Sequence, residues 1–319
     1  MTEKIPIVVI AGPTASGKTK LAVELAMIYN GEVVSADSMQ IYKGLSIATA
    51  KPTPDEMHGI PHHLIDFLEP EQEFSVADYV KLSKRIILDI YSSGKLPIIC
   101  GGTGLYISSL VNNICFDDTV GSKEKRDELR EYAASFGNHS LWKRLSAVDP
   151  ETASAVHENN LPRVIRALEV YELTGKPLSQ HKIDSRKEAS PYAPCIIGLG
   201  FEDRQLLYDR INRRVDEMVE SGLVEEVRTF SQKYSPATAY QAIGYKELLP
   251  YFRGETSLED AVDKIKQETR HYAKRQLTWF RRVDGIEWVK IDKIGDYKNF
   301  LKKVQNIIAK SGIMCYNID

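Results

Sequence analysis

The sequence predicts an α/β fold, in which a parallel sheet is flanked by helices and carries an α-helical insertion. Short β-branched runs alternate with helical segments up to about residue 116. From Asp117 to about Ser190 the periodicity is helical and shows no convincing strand, and strand character returns at Cys195. Because parallel strands are joined by crossover helices that cover the sheet, this order of elements indicates a sheet with helices on both faces.

Local patterns set the elements of the first part. Buried strands are predicted at residues 5–11, 32–36 and 96–100, and residues 62–67 can form a further one. A helix follows the first strand and runs to about Tyr29. A second helix begins near Ser75, because Ser75 and Asp78 form a capping signal, and it stops at Gly94.

The second part is mostly helical. Insertion helices are predicted within residues 126–137, 140–148 and 161–175, followed by a linker at 185–194. A strand at 195–201 leads to helices at 203–234, 237–252 and 258–282, a strand at 286–291 and a terminal helix. We therefore expect a core of residues 1–116 and 191–319 and an insertion of residues 117–190.

The composition is that of a globular protein without a strong charge bias. Of the 319 residues 43% are hydrophobic and 27% are charged, and the formal net charge is −2. A nucleic acid or membrane partner would therefore need a local patch. The four cysteines form no C-x-x-C pair, which disfavours a zinc cluster. No apolar run is long enough for a signal sequence or a bilayer span, so we expect a cytoplasmic protein without a membrane partner.

The segment after the first strand fits the phosphate-binding pattern G-x-x-x-x-G-K-[ST]. Its glycines permit a tight loop whose N–H groups converge on an anion, and the following helix adds its positive end. Lys18 would neutralise phosphate oxygens and the Thr19 hydroxyl would hold Mg²⁺. The pattern does not distinguish ATP, GTP or another diphosphate. The predicted phosphate-binding residues are Gly12, Pro13, Thr14, Ala15, Ser16, Gly17, Lys18 and Thr19.

Two polar residues follow the second and the later strand, at the edge where open α/β sheets bind ligands. Asp37 can coordinate Mg²⁺ through water or accept a proton from an acceptor group, and the alternative is a turn or cap aspartate. Thr103 can offer its hydroxyl to a phosphate, and pure capping of a helix explains it equally well. His62 and His63 are adjacent on a strand, so they cannot readily share a metal ion and are interpreted as structural.

Two helices carry basic residues. Arg210 and Arg214 are four residues apart and can clamp a diphosphate from one helix face, although a salt-bridged surface is an equal alternative. Residues 264–282 hold seven Lys or Arg residues with Tyr272, Trp279 and Phe280 between them. A basic stripe with aromatic residues suits an RNA backbone and its exposed bases. The stripe itself is predicted to consist of Lys266, Arg270 and Lys274.

Several segments together resemble the tRNA dimethylallyltransferases, also called tRNA isopentenyltransferases, in order along nearly the whole chain. The P-loop alone is shared with many NTPases, and the other segments are more specific. They are GPTASGKT (12–19), SADSMQIYKG (35–44), TAKP (49–52), PHHLID (61–66), GGTGLY (101–106), RVIRALEV (163–170), QAIGYKE (241–247) and YAKRQLTWFR (272–281).

This resemblance implies a P-loop NTPase-like core and the transfer of a dimethylallyl group from dimethylallyl diphosphate. The acceptor would be the exocyclic amine of the adenine 3′ of the anticodon, in tRNAs reading codons that begin with U. It implies that Asp37 accepts from the amine, that Thr103 lies near the leaving oxygen and that Arg214 binds diphosphate, with Arg210 or Arg213 as alternative registers. Mg²⁺ would assist, and no protein partner is implied, so we expect a monomer.

The same resemblance implies a set of tRNA contacts, some of which come from the insertion. Together with the basic helix they give the predicted tRNA-binding residues Asp37, Ser38, Met39, Gln40, Thr103, Arg126, Leu161, Pro162, Arg163, Val164, Ile165, Gln241, Lys246, Arg270, Lys274 and Arg275.

Three other functions remain open from the residues alone. An adenylate isopentenyltransferase would use free AMP or ATP, but it needs neither a long insertion nor a basic helix. A small-molecule kinase would hold ATP in the P-loop. A nucleotide-switched RNA-binding protein would need switch loops, and no segment of the sequence indicates them.

Overall fold

The computed structural model describes residues 4–116, 121–234 and 238–313. In that part of the chain six parallel strands form one sheet in the order β3-β2-β4-β1-β5-β6. The predicted parallel sheet is thereby confirmed. The strands are β1 (Ile5–Ala11), β2 (Gly31–Ser35), β3 (His62–His63), β4 (Leu96–Gly101), β5 (Tyr192–Gly200) and β6 (Ile286–Lys290).

The helices fall into three groups along the chain. Before the insertion they are α1 (Lys18–Ile28), α2 (Pro54–Met57), α3 (Val76–Ser92) and α4 (Gly104–Val111). The next group is α5 (Lys123–Phe136), α6 (Asn138–Val148), α7 (Pro150–Ala155), α8 (Leu161–Thr174) and α9 (Leu178–Asp184). The last group is α10 (Arg204–Glu220), α11 (Leu223–Lys233), α12 (Tyr245–Phe252), α13 (Leu258–Phe280) and α14 (Tyr297–Lys310).

Strand β1 is buried on both faces, which explains its continuous apolar run. Val8 and Ile10 point to one face, where they join a core with α1 and α14. Ile7 and Val9 point to the other face, where they join a core with α3 and α4. Because side chains alternate along a strand, one short run supplies both layers of the core.

The helix capping predicted at Ser75 is present in the structure. The Ser75 hydroxyl accepts a hydrogen bond from the Asp78 N–H at 3.2 Å, and the Asp78 carboxylate accepts one from the Ser75 N–H at 2.9 Å. The strand expected over residues 62–67 is shorter than predicted and comprises His62 and His63 alone. Leu64 and Asp66 adopt positive φ angles of 59° and 54°, which a strand does not permit.

A third core lies among the helices after β5. It contains residues of α10 to α13 and residues 41–45 of the loop after β2. The helix expected over residues 203–234 is divided at Gly222, whose φ of 99° breaks the helical path. The helix expected over 237–252 begins at Tyr245 instead, after a 3₁₀ turn at Ala239–Gln241, and its predicted start at Ala237 lies outside the described residues.

The chain divides into two compact units. The first runs to Val111 and resumes at Pro191, and the second is Asn112–Ser190. The predicted start of the insertion, residue 117, lies outside the described residues, as does Cys315. The second unit packs its helices around Leu129, Leu141 and Leu168, and it contains α7 and α9 besides the three predicted helices.

Within the described ranges, no helix has both the length and the apolar character needed to cross a membrane.

Candidate functional site

The loop between β1 and α1 has the geometry of an anion nest. Gly17 adopts a φ of 83° at the N-cap of α1, and Ala15 adopts a φ of 60°, which is uncommon for a residue with a side chain. No side chain caps α1, so the first N–H groups of the helix remain directed at the loop. Alternation of left-handed residues with ordinary ones turns successive N–H groups inward, where an anion would be bound.

Lys18 is a partly buried cation at the base of this loop. Its Nζ donates a hydrogen bond to the Pro13 carbonyl at 2.7 Å. The pKa of Lys18 is lowered to about 8, chiefly by burial and in part by the nearby Arg214, while Cys100 and Asp37 oppose the shift. Binding of an anion would stabilise the charged form of this desolvated lysine, because the anion compensates for the hydration that the ammonium has lost.

Helix α10 directs two arginines at the P-loop and a third elsewhere. Arg214 Nη1 lies 3.4 Å from Thr14 Oγ1, and burial lowers the pKa of Arg214. Arg210 Nε donates to the Ala15 carbonyl at 2.9 Å, while Arg213 is exposed. The cavity beside the loop is lined by Arg214 and not by its two neighbours, so the geometry favours Arg214 among the three registers.

Asp37 lies at the carboxyl end of β2 and uses its two oxygens differently. Its Oδ1 accepts hydrogen bonds from the N–H groups of Met39 at 2.8 Å and Gln40 at 3.2 Å. Its Oδ2 has no hydrogen-bond partner among the described residues. The turn-aspartate interpretation and the functional interpretation are therefore compatible, since one oxygen fixes the carboxylate and the other is available to a ligand.

Thr103 connects the end of β4 to the loop after β2. Its hydroxyl accepts a hydrogen bond from the Ser38 N–H at 3.1 Å and lies 3.3 Å from the Ser38 hydroxyl. The Thr103 N–H donates to the Ala36 carbonyl at 3.0 Å. The Thr103 hydroxyl thus holds Ser38, the residue that follows Asp37. This contact is a third role for Thr103, besides the phosphate contact and the helix cap that the sequence suggests.

One cavity of about 280 Å³ brings twelve of the predicted site residues together. It lies within the first unit, between the P-loop, the loop after β2, and helices α10 and α13. The predicted residues that line it are Thr14, Ala15, Lys18, Thr19, Asp37, Ser38, Met39, Gln40, Arg214, Gln241, Lys246 and Arg275. Thr103, Arg210, Arg270 and Lys274 are not among its lining residues.

The loop after β2 that forms one wall is held by Glu226 of α11. The Glu226 carboxylate accepts hydrogen bonds from the N–H groups of Ser46 at 2.9 Å, Ile47 at 2.7 Å and Ala48 at 3.0 Å. Gln40 adds two bonds from its Nε2, each of 3.0 Å, to the carbonyls of residues 49 and 50. This wall is therefore preorganised by polar contacts that the sequence pattern did not indicate.

Two residues of α13 belong to the site although neither was among the predicted site residues. Gln276 is buried and bonds the P-loop and the loop after β4. Tyr272, one turn earlier, lines the cavity, and its hydroxyl lies beside the side chains of Thr103 and Gln276. Their spacing of four residues on an otherwise basic helix is the signal that could have found them, because it places both on one face.

The predicted basic stripe on α13 does not form one free surface. Lys266 is paired with Asp216 of α10 at 2.6 Å, and Arg270 donates to Asn212 of the same helix at 2.6 Å. Lys274 and Arg275 are exposed. The first two members of the predicted stripe are therefore engaged by α10, whereas its third member, Lys274, is exposed.

In the second unit, the predicted tRNA contacts occupy different environments. Pro162 and Arg163 are exposed at the start of α8, whereas Val164 and Ile165 are buried in the core of the unit. The side chains of these two residues are thus unavailable to RNA in this structure. Arg126 lies 3.2 Å from the fully buried carboxylate of Glu169, which also accepts from the Ser122 N–H at 2.9 Å.

The histidines after the second strand serve the structure of the sheet edge. His63 Nε2 lies 2.7 Å from a Glu32 carboxylate oxygen, and Lys95 binds the other oxygen at 2.6 Å. His62 Nδ1 lies 2.8 Å from the Ile60 carbonyl. No group of three or more His, Cys, Asp or Glu residues able to hold a metal occurs in the described part of the chain.

Together, the parallel sheet, the loop between β1 and α1 and the carboxylate at the end of β2 define a P-loop NTPase-like α/β core with a candidate anion site. The model of the IPP transferase family matches residues 40–283. The chain therefore belongs to the IPP transferase family, and it is a prenyltransferase.

The similarity to known proteins extends over almost the whole of this chain. A protein of Thermoanaerobacter sp. (strain X514) named tRNA dimethylallyltransferase is 55% identical over 95% of this chain and 96% of its own. One of Geobacillus thermodenitrificans (strain NG80-2) with the same name is 50% identical over 96% of each chain. The full-length tRNA isopentenylpyrophosphate transferase of Bacillus halodurans is 44% identical, with a TM-score of 0.72 over 97% of each chain. A eukaryotic dimethylallyltransferase acting on tRNA is 30% identical, with a TM-score of 0.78 over 97% of this chain and 79% of its own.

Proposed function

We propose that this chain transfers a dimethylallyl group from dimethylallyl diphosphate to the N6 amine of the adenine 3′ of the anticodon, in tRNAs reading codons that begin with U. Diphosphate is the second product. The observation that carries the proposal is the cavity in which the P-loop, Lys18 and Arg214 meet the carboxylate of Asp37. The name of the relatives, tRNA dimethylallyltransferase, supports the transfer of a dimethylallyl group to tRNA.

The cationic end of the cavity suits the leaving group. Breaking the allylic C–O bond places negative charge on the bridging oxygen of the diphosphate. The N–H groups of the P-loop, Lys18 and Arg214 would stabilise that charge as it develops. In this role the P-loop binds the diphosphate of the isoprenoid donor, and the terminal phosphate of ATP is not required.

The carboxylate of Asp37 is suited to activate the amine of the acceptor adenine. The N6 lone pair of adenine is delocalised into the ring, so the amine is a weak nucleophile. As the C–N bond forms and the C–O bond breaks, Asp37 Oδ2 would accept the amine proton. The hydrogen bonds from Met39 and Gln40 to Oδ1 support this role, because they fix the carboxylate without occupying the second oxygen.

Mg²⁺ is proposed at the mouth of the P-loop. The Thr19 side chain lines the cavity, and its hydroxyl together with the diphosphate oxygens would supply the oxygen ligands that Mg²⁺ prefers. When bound beside the diphosphate, the ion would supply further stabilisation of the leaving group.

A tRNA must present an unstacked base to this cavity. The exposed side chains of Gln241, Lys246 and Arg275 at the cavity are the proposed contacts to the RNA near the reacting base. Lys274 and Arg163, which are exposed outside the cavity, are proposed to contact the RNA backbone. We expect the reaction to take place in the cytoplasm, where the substrate tRNA is used, with the chain acting as a monomer.

Labelled dimethylallyl diphosphate, supplied with tRNA or with AMP, tests the proposal directly. The amount of label on the adenine next to the anticodon of the tRNA should be far greater than the amount of label on AMP. Label on AMP alone would favour an adenylate isopentenyltransferase, a reading that the names of the relatives do not favour. Consumption of ATP without transfer of the isoprenoid would favour a kinase and contradict the proposal.

A further inference from the structure

The side chain of Gln276 joins helix α13 to two catalytic loops. Its Oε1 accepts a hydrogen bond from the Thr14 N–H at 2.9 Å, and its Nε2 donates to the Gly102 carbonyl at 3.0 Å. The residue is only 5% exposed. Such a side chain is fixed by burial and by both of its bonds, since breaking either would leave a buried polar group unsatisfied.

The bond to Thr14 determines the orientation of one peptide plane in the P-loop. The Thr14 N–H and the Pro13 carbonyl belong to the same peptide unit and point in opposite directions, because the bond is trans and planar. While Gln276 holds the N–H on one side, the Pro13 carbonyl must point to the other. That carbonyl accepts the Lys18 Nζ at 2.7 Å and the Ser16 hydroxyl at 2.8 Å.

The second bond explains the glycine at position 102. A β-carbon built on Gly102 would lie 2.0 Å from the Gln276 Nε2, so only glycine leaves room for the amide. The bonding pattern also requires an amide, since one end must accept and the other must donate. Glutamate has the same shape but cannot donate to the Gly102 carbonyl.

Tyr272 completes the same face of α13. It lies one turn before Gln276, and its hydroxyl lies beside Gln276 and Thr103. Burial raises the pKa of Tyr272, so the phenol stays protonated. A continuous polar path therefore runs from Thr103, through this face of α13, to the P-loop.

We propose that Gln276 is the positioning residue of the donor site. It locks the Pro13–Thr14 peptide so that Lys18 is held at the base of the loop and the N–H groups from Ala15 onward face the anion. This inference deepens the proposed function and rests on it for the identity of the donor. Gln276 itself does not touch the reacting atoms in this account.

Binding of inorganic diphosphate, measured by calorimetry, tests the inference without requiring catalysis. Gln276→Leu should weaken diphosphate binding about tenfold, the effect expected when one buried hydrogen bond no longer preorganises the loop. Gln276→Glu should give a comparable loss, because its carboxylate repels the Gly102 carbonyl. Gln267→Leu, the same change on the exposed face of α13, should leave binding within about twofold.

Kinetics with dimethylallyl diphosphate and tRNA separates positioning from general damage. In a Gln276 variant that retains a cooperative thermal transition, the KM for the donor should rise about tenfold and the KM for tRNA should change less than about twofold. Diphosphate affinity within about twofold of the parent, or an equal rise in both KM values, would overturn the inference. If Gln276→Leu does not fold, the same comparison is made with Gln276→Glu. If the parent binds diphosphate but modifies no tRNA, the proposed function fails while the role of Gln276 in the loop is still decided by calorimetry.

Discussion

Arg214 and Thr14 are joined across the mouth of the P-loop, with Arg214 Nη1 lying 3.4 Å from Thr14 Oγ1. The contact brings a guanidinium from α10, a helix distant in sequence, to the loop that is proposed to bind diphosphate. Its neighbour Arg213 is exposed on the same helix. Adjacent arginines thus provide a matched pair, in which one faces the cavity and the other does not.

Replacing Arg214 by Gln should weaken diphosphate binding by about tenfold to a hundredfold, because it removes a charge-assisted interaction from a largely desolvated site. Arg213→Gln should change binding by less than about twofold. Calorimetric titration of both variants with inorganic diphosphate measures the difference. An equal loss in the two variants would show that the net charge of the helix matters and the position of Arg214 does not.

The lowered pKa of Lys18 predicts how donor binding depends on pH. The ammonium binds an anion, and in the ligand-free protein it loses its proton as the pH rises through about 8. Diphosphate affinity should therefore fall about tenfold from pH 7 to pH 9, with proton uptake on binding at the higher pH. Affinity that is unchanged over this interval would contradict the burial of a charged Lys18.

The same shift has the opposite consequence for the stability of the ligand-free protein. The folded-state pKa of Lys18, about 8, lies below its ordinary value of 10.5, so the unfolded chain binds more protons between these values. The contribution of Lys18 to stability therefore rises as the pH increases through this window. Lys18→Met should raise the Tm of the ligand-free protein by a few degrees while abolishing diphosphate binding. Thermal scans with and without diphosphate separate the two effects.

Asp37→Asn isolates the charge of the carboxylate from its role in the turn. The amide oxygen can still accept from Met39 and Gln40, whereas Ala would remove that acceptor as well. Turnover should fall by about a hundredfold to a thousandfold, and tRNA affinity should stay within about twofold. Single-turnover transfer and filter binding of tRNA measure the two quantities. Lost tRNA affinity with unaltered turnover would exclude the proposed acceptance of the amine proton.

Glu226 is predicted to stabilise the cavity wall formed by residues 46–48. Glu226→Ala removes the acceptor of three backbone N–H groups and should lower the free energy of unfolding by about 2 kcal/mol. Glu225→Ala, on the exposed side of the same helix, should change it by less than about 0.5 kcal/mol. Denaturant titrations of both variants provide the comparison, and equal effects would argue against a specific clamp.

Local signals in the sequence were sufficient where a short segment determines its own geometry. The P-loop with its strand and helix, and the cap at Ser75, depend on neighbours within a few residues. The helix break at Gly222 was not predicted, since an isolated glycine within a helical pattern can be tolerated without ending the helix. Helices α7 and α9 have six and seven residues, too few for their periodicity to be recognised.

The positions of the other site residues depend on contacts between segments that are distant in sequence. Gln276 lies 262 residues from the Thr14 N–H that it binds, and nothing near Gln276 in sequence indicates that partner. The partners of the basic stripe on α13 could not be predicted for the same reason. Lys266 and Arg270 have their partners on α10, and a pattern read along one helix cannot reveal what packs against it.

The strand that leads into the P-loop has one neighbour from each side of the insertion. Strand β1 pairs with β4 through residues 8–11 and with β5 through residues 5–11. During synthesis, the second row of hydrogen bonds must wait until the ribosome has released the insertion and residues 192–200. Until then an apolar β1 presents an open edge, a state prone to intermolecular pairing. We therefore expect the P-loop to become able to bind an anion only late in synthesis. A chain truncated before residue 192 should aggregate rather than fold into a smaller functional core.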